Sequence, residues 1–213
     1  MVSLSRLECY SHALKGMSKE EIQAILRRNL TPDKQSISTE EGLEVAKAAG
    51  QAAREQGIVC ALAGGLAMHL YGFTRATTDV DFIADKPLGW VAKDKLSFGG
   101  ETYPASTGKR EIDLDWIVRD DFFREFYEAA LRDAVETDEG LFVISPEWMV
   151  ILKYIAGRGK DQIDLLWLLQ QPNLVNRDEV RGYLTAVMGE KAAALPLREL
   201  ERLFLQADIS RTE

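Results

Sequence analysis

The 213 residues contain two cysteines, Cys9 and Cys60, and no Cys-x-x-Cys pair, so neither a disulfide framework nor a structural zinc site can be assembled from them. Histidine is equally scarce, and His69 has no partner at metal-ligand spacing, so it reads as a packing or hydrogen-bonding residue. No apolar run approaches the roughly 20 residues of a membrane span. The start, Met1-Val2-Ser3-Leu4-Ser5-Arg6-Leu7, lacks the charged onset and continuous apolar core of a secretion signal. Internal repeats and low-complexity segments are also missing. Together these absences predict a cytoplasmic chain in a reducing environment with no membrane partner. Positive charge is in deficit as well: 26 Lys and Arg against 34 Asp and Glu give a net charge of −8. A broad nucleic-acid-binding surface is thereby excluded, leaving a small charged ligand or RNA held at a local basic patch.

What is present is a globular composition, 46% apolar and 28% charged, in a chain long enough to bury its own core. Ser18-Lys19-Glu20-Glu21 opens a helical pattern that Thr31-Pro32-Asp33 ends. Ser38-Thr39-Glu40-Glu41 repeats the capping-box signature for a helix to about Gln56, with Gly57 as its stop. Asp85 to Pro104 reads as connections with one short helix or strand. Lys109 to Val118 alternates strictly, with Ile112, Leu114 and Trp116 on one face and Glu111, Asp113 and Asp115 on the other. Asp120 to Val135 is an amphipathic helix with an aromatic stripe, and Leu141 to Ile144 a short strand. Ser145-Pro146 caps a helix that Gly157-Arg158-Gly159-Lys160 interrupts and Asp161 to Leu169 resumes. Asn176 caps another, and Pro196 starts a last helix toward Gln206.

The chemistry concentrates between Ala61 and Phe82. An apolar strand runs into Gly64-Gly65, a short helix follows, and a second strand opens with Asp79 and Asp81, two residues apart and therefore on one face. Strands disfavour aspartate and two like charges on one face repel, so a merely exposed strand leaves this pairing unexplained. Hard divalent cations take oxygen ligands, few from protein and the rest from water and phosphates. Glycines let backbone approach a phosphate, and a helix start offers N–H groups. Glu111, Asp113 and Asp115 read equally as the solvent face of an edge strand or as a source of a third carboxylate.

The segment from Gly64-Gly65 through Asp79-Val80-Asp81-Phe82 resembles the Gly-Gly/Ser, then Asp-x-Asp signature of the DNA polymerase beta-like nucleotidyltransferase superfamily. Within it the chain is most similar to the AbiEii/AbiGii-type nucleotidyltransferases, many of them bacterial toxins of toxin–antitoxin or phage-defence pairs. The resemblance spans roughly Ile58 to Leu169. It includes Ile112-Asp113-Leu114 and the run Lys153-Tyr154-Ile155-Ala156-Gly157-Arg158-Gly159-Lys160-Asp161-Gln162-Ile163-Asp164. It implies an α/β (α+β) fold: a small mixed sheet flanked by helices, with residues 1–57 as N-terminal helices, 58–145 as the nucleotidyltransferase core and 146–213 as a helical part completing the site.

By the same resemblance Asp79, Asp81 and Asp113 are metal ligands for Mg2+ or Mn2+, with Asp115 the alternative third ligand. Asp113 would assist deprotonation of the acceptor. Gly64 and Gly65 would shape the phosphate pocket, Lys153, Arg158 and Lys160 would contact phosphate, and Asp161 and Asp164 would orient that basic group. Arg75 reads either as a structural ion-pair residue or as a substrate contact. Gly65 replaces a serine that many relatives use toward the triphosphate, which puts anchoring on backbone N–H groups. The implied reaction moves NMP from an NTP to an acceptor hydroxyl, of RNA or tRNA in the toxin-like reading and of a small molecule in the antibiotic-modifying one. An antitoxin protein is the implied partner of the first. A catalytically silent nucleotide- or partner-binding module is the competing reading.

Overall fold

The computed structural model describes residues 35–73 and 75–212. The helix expected from Ser18, Cys9 and the pair Arg27-Arg28 lie outside them. The described residues form seven helices and a mixed seven-stranded sheet, in keeping with the α/β expectation.

Helix α1 (Thr39–Glu55) begins where the capping box predicts: the Ser38 hydroxyl accepts from the Glu41 N–H while the Glu41 carboxylate accepts from the Ser38 N–H. Its buried face is built from small residues, Gly42, Ala46, Ala49, Gly50 and Ala53 with Val45, so the helix axis can lie close to the sheet. Strand β1 (Cys60–Ala63) leads into the short helix α2 (Gly64–Leu70). Strand β2 (Asp79–Ala84) then returns antiparallel to β1, with Ala63 opposite Asp81.

The stretch read as connections contains β3 (Asp94–Lys95) and a six-residue strand, β4 (Glu101–Ser106). Pro104 hid it, because proline cannot donate to a ladder. Here β3 pairs only with Glu101 and Thr102, so Pro104 meets a partner on one side alone and its missing N–H costs nothing on the other. Strand β5 (Glu111–Ile117) lies between β4 and β2, so its acidic face is in mid-sheet and not on an edge. Strands β6 (Val135–Glu136) and β7 (Phe142–Val143) complete the order β3-β4-β5-β2-β1-β7-β6. Helix α3 (Arg124–Arg132) is shorter than its pattern suggests, since the chain leaves the helix at Asp133 to form β6.

Helices α4 (Pro146–Ala156), α5 (Gly159–Gln170), α6 (Arg177–Met188) and α7 (Glu190–Thr212) follow. Ser145 caps α4 through the Trp148 N–H, and Gly157 at φ 62 ends it. Asn176 caps α6. Pro196 does not start the last helix but sits inside it. An interior proline costs about 3 kcal/mol, and the buried stripe Ala193, Leu200, Phe204 and Ala207 that spans it, packed on α5 and α6, offsets that cost. Trp148 joins the two halves of the core, stacking on Tyr183 at 5.0 Å while its indole N–H donates to Asp133 at 2.8 Å. No helix among the described residues is long and apolar enough to cross a membrane.

Candidate active site

Alternation along β2 buries Val80 and Phe82 and leaves Asp79 and Asp81 on the other face. The parallel pairing with β5 sets Asp79 beside Asp113 and Asp81 beside Asp115. Thr77 donates to Asp79 Oδ1 at 3.0 Å, and Thr102 donates to Asp115 Oδ1 at 2.7 Å. Burial pushes the Asp81 carboxyl up, and the charges of Asp79 and Asp115 push it further. Lys153 and Lys160 pull it back, leaving it at about 7.

Asp113, expected as the third ligand, is turned to a lysine: Lys93 donates to Asp113 at 2.7 Å and to Glu111 at 3.2 Å. Residues 93–95 are drawn to this position by pairing with β4. Asp79 and Asp81 line the cleft, and neither Asp113 nor Asp115 does. Among the described residues no three His, Cys, Asp or Glu side chains are grouped to hold a metal ion between them. Asp79 and Asp81 thus share one wall of the cleft, with Asp115 beside Asp81 in register.

The double glycine has a local reason of its own. Gly64 has φ +62, and a Cβ there would stand 1.8 Å from Asp81 Oδ2; a Cβ on Gly65 would stand 2.3 Å from Thr77 Oγ1. The start of α2 can therefore lie against the acidic end of β2 only without side chains. The Gly65 N–H donates to Asp81 Oδ2 at a long 3.4 Å. Gly57, at φ +64 with nothing within 4 Å, is an internal control. Gly57→Ala is expected to cost about 1 kcal/mol from backbone strain alone. Gly64→Ala is expected to cost more than about 3 kcal/mol, because the carboxylate must also move; denaturant midpoints of the two variants check the difference.

Across the cleft three of the sequence-predicted basic residues, Arg75, Lys153 and Arg158, converge on two buried carboxylates. Asp161 and Asp164 are wholly buried at the start of α5. Lys153, on α4, donates to Asp161 at 2.9 Å and contacts Asp164 at 2.7 Å. Arg75 grips Asp164 with two bonds of 2.6 and 2.9 Å, and Arg158 grips Asp161 at 2.5 and 3.2 Å. Burial raises the Asp161 carboxyl, but the Arg158 hydrogen bond and the Lys153 charge outweigh it and hold the group below the usual carboxylate range. Three cations share two carboxylates, so the network keeps a net positive charge. Lys160 lines the cleft and forms no ion pair with any described residue; Lys153, not Lys160, pairs with Asp164. His69 fixes the Arg75 backbone: its Nε2–H donates to the Arg75 carbonyl at 2.6 Å, and Nδ1 faces the Thr39 hydroxyl at 3.0 Å.

Tyr127, from the aromatic stripe of the Asp120 to Val135 segment, also lines the cleft. Burial raises its phenol, and Arg119 lies 5.0 Å over its ring. Its outward role carries no sequence signal, because the helical period alone does not separate one edge of the stripe from another. The cleft itself is small, about 70 Å³, with carboxylates on the β2 wall and the basic network on the other. In it the structure brings together Gly64, Gly65, Arg75, Asp79, Asp81, Lys153, Arg158, Lys160 and Asp161, with Asp164 behind them holding Arg75 and Lys153.

No protein-family model matches the sequence, nor does any curated protein sequence. Among solved structures the chain is similar to the crystal structure of an antigenic nucleotidyltransferase-like protein from Paracoccidioides brasiliensis. The identity is 17% and the TM-score 0.43, over 77% of this chain and 95% of that one. This is a remote likeness of fold.

Proposed function

We propose that the protein is a metal-dependent nucleotidyltransferase that moves NMP from an NTP to an acceptor hydroxyl. The observation that supports this most is the two-sided cleft. A pair of carboxylates on β2 faces a rigid cationic network from α4 and α5, so one wall suits a divalent cation and the other suits phosphate oxygens.

The donor set fits such a cation. Asp79 and Asp81 are hard oxygen ligands, and the burial and like-charge repulsion that together lift Asp81 to about 7 are what a bound dication would offset. Mg2+ or Mn2+ held by Asp79 and Asp81 would supply electrostatic stabilisation of the phosphate charge. The chain's own residues supply the rest. Lys160 is the cation with no described ion-pair partner and is offered to the phosphates. Arg158, 57% exposed, can present its outer edge while Asp161 keeps it in position. Arg75 and Lys153 act through the network rather than on the substrate. Asp115 is preferred to Asp113 as the third acidic group, because it adjoins Asp81 in register and its charge acts on Asp81.

Lys160→Met is expected to raise KM for NTP about tenfold with little effect on folding, since no described ion pair is lost. Steady-state kinetics at saturating Mg2+ check this. The acceptor is proposed to be RNA, as in toxin-like enzymes, with a small-molecule hydroxyl compound as the other candidate. Labelled NTPs, each of the four in turn, incubated with total RNA at high protein concentration decide between them. Label that stays off RNA removes the RNA acceptor and any toxin–antitoxin setting built on it.

A second reading is favoured by one feature: Lys153 and Arg158 are already matched by Asp161, which leaves Asp79 and Asp81 as the acidic groups of the cleft that no described ion pair engages. A catalytically silent nucleotide-binding module needs no more than that. Calorimetry beside a pyrophosphate-release assay separates the two, since the silent module binds NTP and releases nothing.

A further inference from the structure

A second cavity lies elsewhere among the described residues. It holds about 270 Å³ behind the sheet, with Ile58, Cys60, Phe82 and Leu141 among its walls and the exposed residues Arg54 and Arg132 also lining it. Successive residues of a strand point to opposite faces, so Phe82 turns into this cavity while Asp81 turns into the cleft. Arg54 donates to the Gly140 carbonyl and to the Gln51 side chain, both at 2.9 Å, and neither partner is charged. Arg132, in the last turn of α3, forms no ion pair with any described residue. Two arginines without a described carboxylate partner thus line one largely apolar hollow of a chain with net charge −8. The nearby Asp85 carboxylate does not line the cavity and is taken by the Val59 N–H at 2.9 Å. Burial pushes the Cys60 thiol up to about 12, so it is a neutral apolar wall and not a nucleophile.

We propose that this cavity binds a compact carboxylate bearing an aromatic or branched apolar tail. The tail lies against Phe82, Cys60 and Leu141, and the carboxylate lies between Arg54 and Arg132. Size argues for a small ligand: an apolar cavity of about 150 Å³ accommodates benzene, and drug-sized ligands occupy about 300 Å³ or more. A ring with a short acid chain fits between these. Guanidinium groups match carboxylate geometry with paired N–H donors. The proposal does not rest on the nucleotidyltransferase reading, because the cavity and the cleft are on opposite faces of β2.

The test is calorimetric titration of the whole chain with 3-phenylpropanoate and, separately, with 3-phenylpropanol. The acid is expected to bind at submillimolar concentration and the alcohol at least tenfold more weakly. Arg132→Glu, at an exposed helix end, should weaken the acid at least tenfold. Cys60→Phe, which fills the cavity, should abolish binding, while Asp81→Asn should leave it unchanged. Equal binding of acid and alcohol, insensitivity to Arg132→Glu, or no heat at millimolar ligand overturns the proposal. If Cys60→Phe does not fold, Arg132→Glu decides the matter alone.

Discussion

Asp81→Asn is expected to make the protein more stable at neutral pH while abolishing the proposed nucleotidyl transfer. In the folded chain the Asp81 carboxyl is raised from 3.8 to about 7, first by burial and then by the charges of Asp79 and Asp115. Between those two values the folded state binds a proton that the unfolded state has released. Stability therefore falls as pH rises through this window, and the full cost persists above it. At about 1.4 kcal/mol per unit the ceiling is about 4 kcal/mol. Residual solvent contact at Asp81 reduces the realised figure to about 2–4 kcal/mol. Asparagine carries no charge to desolvate, so the gain over wild type should be near zero at pH 4 and largest above pH 7. Denaturant titrations in chelator-treated buffer across that range check the slope, and a flat difference contradicts it. Added Mg2+ should stabilise wild type at neutral pH by binding the native state, and should stabilise Asp81→Asn much less. Stability sacrificed at one carboxylate for the sake of a site is a common trade. A variant that kept full NMP transfer would remove Asp81 from the proposed mechanism.

Lys153→Met is expected to destabilise the protein by about 3–5 kcal/mol, the cost typical of leaving buried charge uncompensated. Its side chain is only 6% exposed, and it touches two carboxylates that are both 0% exposed. Without it, Asp161 depends on Arg158, whose side chain is 57% exposed, and Asp164 on Arg75 alone. The surface pair Arg124–Glu128, with both side chains more than half exposed, is the contrast: Arg124→Ala should cost under about 0.5 kcal/mol. The effect has a pH signature. Asp161 is held below the ordinary carboxylate range, so its contribution is present above the unfolded value and is lost as pH falls through the folded one. Losing Lys153 weakens that hold, and the acid-unfolding midpoint should move to higher pH. Circular dichroism against pH measures it. A Lys153→Met variant with wild-type stability and altered NTP affinity would instead make the lysine a direct phosphate contact.

Local signals were legible where the chain supplies its own partners. Ser38 with Glu41, Ser145 with Pro146, and Asn176 all cap helices, because a cap is completed within four residues. Burial along β2 and β5 follows the alternation of their sequences, since side-chain direction has period two whatever the neighbouring strands are. The exceptions, Pro104 within β4 and Pro196 within α7, are places where distant packing overrode a local rule. In one case β3 was too short to require the missing N–H, and in the other a buried stripe outweighed the helix penalty.

The candidate site divides in the same way. Sequence alone determined the types and order of its groups: two glycines, an Asp-x-Asp strand, and a Lys to Asp run interrupted by Gly157. What only the tertiary structure decided is who faces whom. Register between β2 and β5 set Asp81 beside Asp115 and gave Asp113 to Lys93. The approach of α5 to α4 turned two isolated basic residues and two acidic ones into a single buried network with Arg75. Gly64 and Gly65 acquired their reason from Asp81 and Thr77, more than ten residues away. Spacing along a chain fixes which residues share an element, but electrostatic pairing depends on distance in space, and that is set only when separate elements pack.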